Sequence, residues 1–313
     1  MLHDRMTRRE ALVAGAAAML PLAAASAASA AGNPQPQPGP TIGIATLGFA
    51  DYTNRRLAEE LAAQGLRTVQ LFFNQTDSRY WKYNGRSDLS DLSAARCKEI
   101  ADAYRAAGIA IHSLGVYTNL IHPDEAERKA NLAYFEAMMK AAQAMGVRTL
   151  ITEAGHYEPE KPAPVAYHFQ EEVWKQMVAT GKQLAQRAES YNATVLFEPF
   201  FRGFLASAKR TRVFLEEVNS PRIRALLDPA NLLEVNDLEE MFGQLAPWID
   251  CLHAKDRKMH VDRGVPAGQG DLDYKKFVAL AAKHTPKAPL ILEYVGANDY
   301  KQALAHLQSA MRG

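Results

Sequence analysis

Val173-Trp-Lys-Gln-Met177-Val-Ala-Thr-Gly-Lys-Gln-Leu184-Ala-Gln-Arg-Ala-Glu-Ser-Tyr-Asn192-Ala-Thr194-Val-Leu-Phe197-Glu198-Pro199 holds one whole structural unit. Val173, Met177 and Leu184 fall at helical spacings, so this part predicts a helix with one face on a core. Asn192 suits the left-handed residue that closes such a helix. Thr194 to Phe197 is a continuous apolar run, as expected of a parallel-sheet strand covered by helices. A carboxylate, Glu198, arrives just as that run ends.

The unit repeats along the chain. Leu57 to Gly65 leads into Thr68–Phe73, and Ala101 to Gly108 leads into Ile109–His112. A helix through Leu132, Phe135, Met139 and Ala142 ends at Gly146, before Val147–Ile151. Thr41–Thr46 supplies the first strand. Ala225-Leu-Leu-Asp228-Pro229, Asp250-Cys251-Leu-His253-Ala254 and Leu290-Ile-Leu-Glu293-Tyr294 supply the sixth, seventh and eighth, and a helix from Asn298 to Met311 closes the chain. Eight βα units in about 270 residues predict an α/β (β/α)8 TIM barrel, a single domain over 41–313. A doubly wound open sheet is the competing architecture, but it gives no reason for so many polar residues at strand C-termini. No Gly-x-Gly-x-x-Gly or Walker loop is present.

The 313 residues are 48% hydrophobic and 23% charged, a globular composition. Residues 1–32 carry Arg5, Arg8 and Arg9 against Asp4 and Glu10; without them the chain has 33 basic and 33 acidic residues. That balance lacks the basic footprint of a nucleic-acid binder. Of the two cysteines, Cys251 sits in an apolar run and reads as a small core residue, and no disulfide framework is indicated.

The first 32 residues read as a signal peptide of the twin-arginine type. Thr7-Arg8-Arg9 precedes an Ala/Leu-rich stretch to Ala31, and Ala28-Ser29-Ala30 offers a cleavage site. Export to the periplasm or beyond is expected. An ordinary secretory signal and an uncleaved anchor are the alternatives, although Pro21 and the weak hydrophobicity of alanine argue against a permanent membrane span. Residues 33–40 form a stiff Pro-rich linker.

In a barrel the strand C-termini converge on one face, where active sites sit. Glu198, Asp228, His253 and Glu293 end four successive strands, separated by 30, 25 and 40 residues. Their oxygen and nitrogen donors suit one divalent cation, Mn²⁺, Mg²⁺, Co²⁺ or Zn²⁺.

Phe197-Glu198-Pro199, Leu227-Asp228-Pro-Ala-Asn231, His253-Ala-Lys255-Asp256 and Gly268-Gln-Gly270-Asp271, in this order and spacing, resemble the xylose isomerase-like superfamily. The resemblance is nearer to its sugar isomerase/epimerase branch, which includes ketose 3-epimerases and inosose dehydratases. It implies a metal held by Glu198, Asp228, His253 and Glu293. It also implies that Glu198 and Glu293 exchange protons with substrate carbon through an enediolate. One departure is Asn231, where some epimerases carry histidine. Asparagine can bind a sugar hydroxyl but cannot shuttle a proton, which leaves room for elimination. A trinuclear nuclease site is not expected, because only His112 and His253 of the nine histidines end barrel strands.

The expected substrate-binding residues are His112 at the end of strand three, Glu153 after strand four, Asn231, Lys255 and Arg257. Lys255 reads either as a contact to substrate oxygens or as the partner of a neighbouring carboxylate. His156 reads as a solvated loop residue and Asp256 as a support behind the site. Tyr80, Trp81 and Tyr83 follow strand two and could stack on a sugar or pack under the loop. The function expected is a metal-dependent sugar isomerase or epimerase with a small carbohydrate substrate. A lyase or dehydratase on a keto-sugar or oxidised glycoside is the alternative, and a non-catalytic sugar-binding barrel a lesser one. No nucleic-acid partner and no stable membrane insertion are expected; a homo-oligomer is left open.

Overall fold

The computed structural model describes residues 40–156, 165–261 and 263–313. The leader and the linker up to residue 39 lie outside the described residues. Eight parallel strands form a ring: β1 (Ile42–Ala45), β2 (Thr68–Leu71), β3 (Ala110–Gly115), β4 (Thr149–Thr152), β5 (Thr194–Phe197), β6 (Ile223–Leu227), β7 (Ile249–Arg257) and β8 (Leu290–Leu292). Each pairs with its successor, and β8 pairs back onto β1 with Ile42 opposite Leu290 and Ile44 opposite Leu292. This closure excludes the open doubly wound sheet.

Among the described residues, eight helices of two turns or more surround the ring: α1 (Asn54–Ala63), α2 (Ala94–Ala106), α3 (Glu125–Met145), α4 (Glu171–Ser190), α5 (Ala208–Val218), α6 (Leu238–Leu245), α7 (Tyr274–His284) and α8 (Tyr300–Arg312). Six begin at Thr53, Ser93, Asp124, Ser207, Asp237 and Asp273, whose side chains accept the N–H three residues on. Each such cap contributes about 1 kcal/mol. The closing residues expected from the sequence, Gly65, Gly108, Gly146 and Asn192, all have φ between 49° and 79°. No described helix is long and apolar enough to cross a membrane.

Alternation along the strands divides the apolar residues between two cores. Val195, Phe197, Leu252 and Leu292 face the helices; Phe214 of α5, for example, meets Phe197 edge-on at 5.1 Å. Leu196, Leu226, Cys251 and Ile291 fill the barrel interior with Ala45, Phe72, Tyr117 and Ile151. Burying side chains of this size stabilises the fold by about 1.5–3 kcal/mol each.

Two strands run further than the sequence suggests. β3 does not stop at His112 but continues to Gly115. Its register against β2 steps from Ile111 opposite Val69 to Ser113 opposite Gln70, so His112 is the extra residue of a bulge. β7 continues past His253 to Arg257, because an antiparallel strand at Gly264–Pro266 extends its ladder.

Candidate metal centre

The alternation that builds the barrel also aims the site. Outward Phe197 makes the next residue, Glu198, point inward, and outward Leu227 and Leu292 do the same for Asp228 and Glu293. On β7, Leu252 and Ala254 face outward, which turns His253 and Lys255 to the interior. All five of these polar residues are buried. One donor atom from each of Glu198, Asp228, His253 and Glu293 lies within 4.8 Å of the other three.

His253 is the pivot. Its Nε2 is 2.7 Å from Gln70 Oε1, an acceptor, so Nε2 donates there. Its Nδ1 makes no hydrogen bond. That nitrogen faces Glu198 Oε1 and Glu293 Oε2, each at 3.3 Å, and Asp228 Oδ2 at 3.9 Å. A buried imidazole nitrogen with no hydrogen bond, ringed by carboxylate oxygens, is the donor set a divalent cation would complete. The second ring nitrogen is fixed from behind, as ligand histidines require.

The acids are held individually. Glu198 Oε2 accepts from Tyr117 Oη at 2.6 Å and Oε1 from Asn231 Nδ2 at 2.8 Å. Asp228 Oδ1 caps the short helix Pro229–Leu232 through the N–H of Ala230 at 2.9 Å, which leaves Oδ2 for the site. Lys255 Nζ lies 2.5 Å from Asp228 Oδ2 and 3.1 Å from Glu293 Oε2, and donates to Asn231 Oδ1 at 2.9 Å.

The two glutamates are driven apart electrostatically. Burial pushes the Glu198 carboxyl above its usual range, against the pull of His253. For Glu293, burial is outweighed by the charges of His253 and Lys255, which hold it well below that range. Burial opposes the charge on His253, but Glu293 and Glu198 keep it protonated well above its ordinary pKa. Burial, together with the Glu198 charge, keeps the Tyr117 phenol protonated.

A cavity of about 310 Å³ opens over this cluster. Glu198, Asn231, Lys255 and Glu293 line its polar side, and Trp81, Tyr83, Tyr117, Phe200 and Tyr294 supply aromatic walls. Tyr80 instead packs under the loop against Phe73. At the rim, Tyr83 Oη donates to Glu153 Oε2 at 2.9 Å and lies 2.9 Å from His156 Nε2. Tyr294 has a φ of 56°, rare for a bulky residue, and sets its ring 4.5 Å from Lys255 Nζ.

The structure therefore brings Glu198, Asp228, His253 and Glu293 together and sets Glu153, Asn231, Lys255 and Arg257 on the same cavity. His112 does not line it; the strand runs three residues past it to Gly115, and Tyr117 takes the place expected of it. Arg257 is braced between the carbonyls of Ala230 at 2.9 Å and Val261 at 2.6 Å. Asp256 accepts the N–H groups of Gly268 and Leu272, so the Gly-rich turn is tied to a buried carboxylate rather than built to cradle phosphate. The sequence reading missed Tyr117 and Gln70. Gln70 carried a signal, a polar residue inside the apolar run Val69–Leu71.

Residues 58–310 match the family model described as the xylose isomerase-like TIM barrel. A probable L-ribulose-5-phosphate 3-epimerase of Mycoplasma pneumoniae is 20% identical over 240 residues, which covers 74% of this chain and 73% of the relative. D-psicose 3-epimerase from Clostridium cellulolyticum H10 superposes with a TM-score of 0.66 at 16% identity, over 87% of this chain and 97% of that one. A probable 3-DHS dehydratase of Bacillus anthracis superposes at 0.69 and 16% identity, over 86% and 97%. At such identities the structural likenesses speak for the fold alone. With a closed barrel, a buried Glu/Asp/His/Glu cluster at its strand ends and a family match over most of its length, the chain belongs to the xylose isomerase-like TIM barrel family.

Proposed function

We propose that this barrel is a divalent-metal-dependent sugar isomerase or epimerase that moves a proton at the carbon beside a carbonyl. The observation that carries this reading is the pair Glu198 and Glu293. Both are buried at one cavity, each 3.3 Å from the same unbonded imidazole nitrogen. Glu198, Asp228, His253 and Glu293 would hold the metal, which when bound supplies Lewis-acid stabilisation of negative charge developing on the substrate carbonyl oxygen.

The remaining work falls to the chain itself. Glu293 and Glu198 are the pair suited to exchange protons with the substrate carbon, one taking a proton and the other returning it, while Tyr117 donates a hydrogen bond to Glu198. Asn231 would bind a substrate oxygen, as would Lys255 if released from the carboxylates, and Glu153 would bind a hydroxyl at the rim. Trp81, Tyr83 and Phe200 offer apolar faces to a sugar ring and exclude water. The relatives named as epimerases support this choice of reaction.

Elimination is the second reading, favoured by a specific observation. Asn231 cannot carry a proton, whereas Tyr83, Glu153 and His156 form a proton-bearing cluster at the rim, apart from the metal ligands. Such a cluster could protonate a leaving group. A twin-arginine type of leader in residues 1–32 would take the protein out of the cytoplasm. Fractionation of the full chain, with Arg8 and Arg9 replaced by lysine, tests that location.

Incubation of the metal-loaded protein with ketoses and keto-glycosides in deuterated water is the decisive assay. Deuterium at the epimerised carbon supports the first reading, and an unsaturated carbonyl chromophore the second. Glu198→Gln and Glu293→Gln each abolish turnover; normal rates in both would remove the acid/base assignment.

A further inference from the structure

We propose that Lys255 is a built-in competitor for the divalent cation, an ammonium seated on two of the four ligand carboxylates that sets how tightly metal is held. This rests on the metal reading above. Asp228 has one oxygen to offer, because Oδ1 caps the helix at Pro229. The oxygen that remains, Oδ2, is the one Lys255 Nζ holds at 2.5 Å. The second contact, 3.1 Å, is to Glu293 Oε2, the oxygen that faces His253 Nδ1. Metal and ammonium therefore claim the same atoms.

Lys255 is buried, so its charge is little screened by water. Nζ has further partners in the same seat: Asn231 Oδ1 lies 2.9 Å away, and the Tyr294 ring stands 4.5 Å off, set there by a left-handed backbone. An ammonium displaced from the carboxylates keeps these partners, so the competition is reversible. Without Lys255, Asp228 Oδ2 and Glu293 Oε2 would meet the cation with no ammonium to displace.

The test is direct metal binding, with Mn²⁺ followed by electron paramagnetic resonance and Zn²⁺ by chelator competition. Lys255→Met and Lys255→Gln tighten binding of both ions by at least about tenfold, equivalent to about 1.4 kcal/mol. Lys255→Arg, which keeps the charge, stays near the wild-type affinity. If the neutral variants fold only with metal present, they are purified loaded, and their Mn²⁺ is lost to excess EDTA at least about tenfold more slowly than from wild type. Binding or retention equal to or weaker than wild type in the neutral variants overturns the proposal while the metal reading stands. Failure of wild type and variants alike to bind either ion overturns both.

Discussion

Gln70→Leu should weaken metal binding although Gln70 is not itself among the four ligands. Gln70 Oε1 lies 2.7 Å from His253 Nε2, and both side chains are fully buried. Leucine fills similar space but accepts no hydrogen bond, so the Nε2–H is stranded at a cost of about 1–3 kcal/mol. The ring can then place its proton on Nδ1, the atom that faces the carboxylates, where it opposes the cation directly. Losing such a support typically costs about 10–100-fold in metal affinity, or about 1.4–2.7 kcal/mol. Titration with Mn²⁺ under chelator competition measures it, with Gln70→Glu as the variant that keeps an acceptor. A dissociation constant for Gln70→Leu within about twofold of wild type would refute the tautomer argument.

Metal uptake should release protons and strengthen as pH rises. Glu198 and His253 both hold their protons above their ordinary pKa values in the metal-free site, and both must lose them to ligate. Because His253 is held well above its usual value of about 6.5, the trend continues beyond neutral pH; affinity that is flat from pH 6 to 9 contradicts it. Tyr117→Phe removes the 2.6 Å bond to Glu198 and lowers stability by about 1–3 kcal/mol, read as a fall in thermal midpoint. Gly270→Ala places a Cβ 2.3 Å from Asp256 Oδ1 and 2.4 Å from the Arg257 carbonyl oxygen, a clash that costs about 1–3 kcal/mol. Gly243→Ala in α6 meets nothing within 4 Å and should be neutral or stabilising by up to about 1 kcal/mol; equal loss in both variants would discount the contact.

The barrel and its four metal-capable residues were legible because both depend on local periodicity. Helical spacing ending in glycine or asparagine marks each unit, and strict two-residue alternation after an outward Phe197, Leu227, Leu252 or Leu292 fixes the inward residue that follows. His112 was misplaced because the strand continues to Gly115 through its pairing with β4, and a bulge at His112 adds a residue that the apolar run does not reveal. Tyr117 was missed because the length of β3 is set by its hydrogen bonds to neighbouring strands rather than by its composition.

Whether Lys255 bound substrate or a carboxylate could not be decided along the chain. Its distance from Asp228 depends on how β6 and β7 register, and the 26 residues between them in sequence carry no record of that. By itself the sequence determined the ring of eight units and the four metal-capable residues at its strand ends, since those follow from repeating short-range patterns. The tertiary structure alone decided which oxygens the ammonium holds and which imidazole nitrogen has no hydrogen bond, because those depend on ångström-scale approaches between strands far apart in sequence.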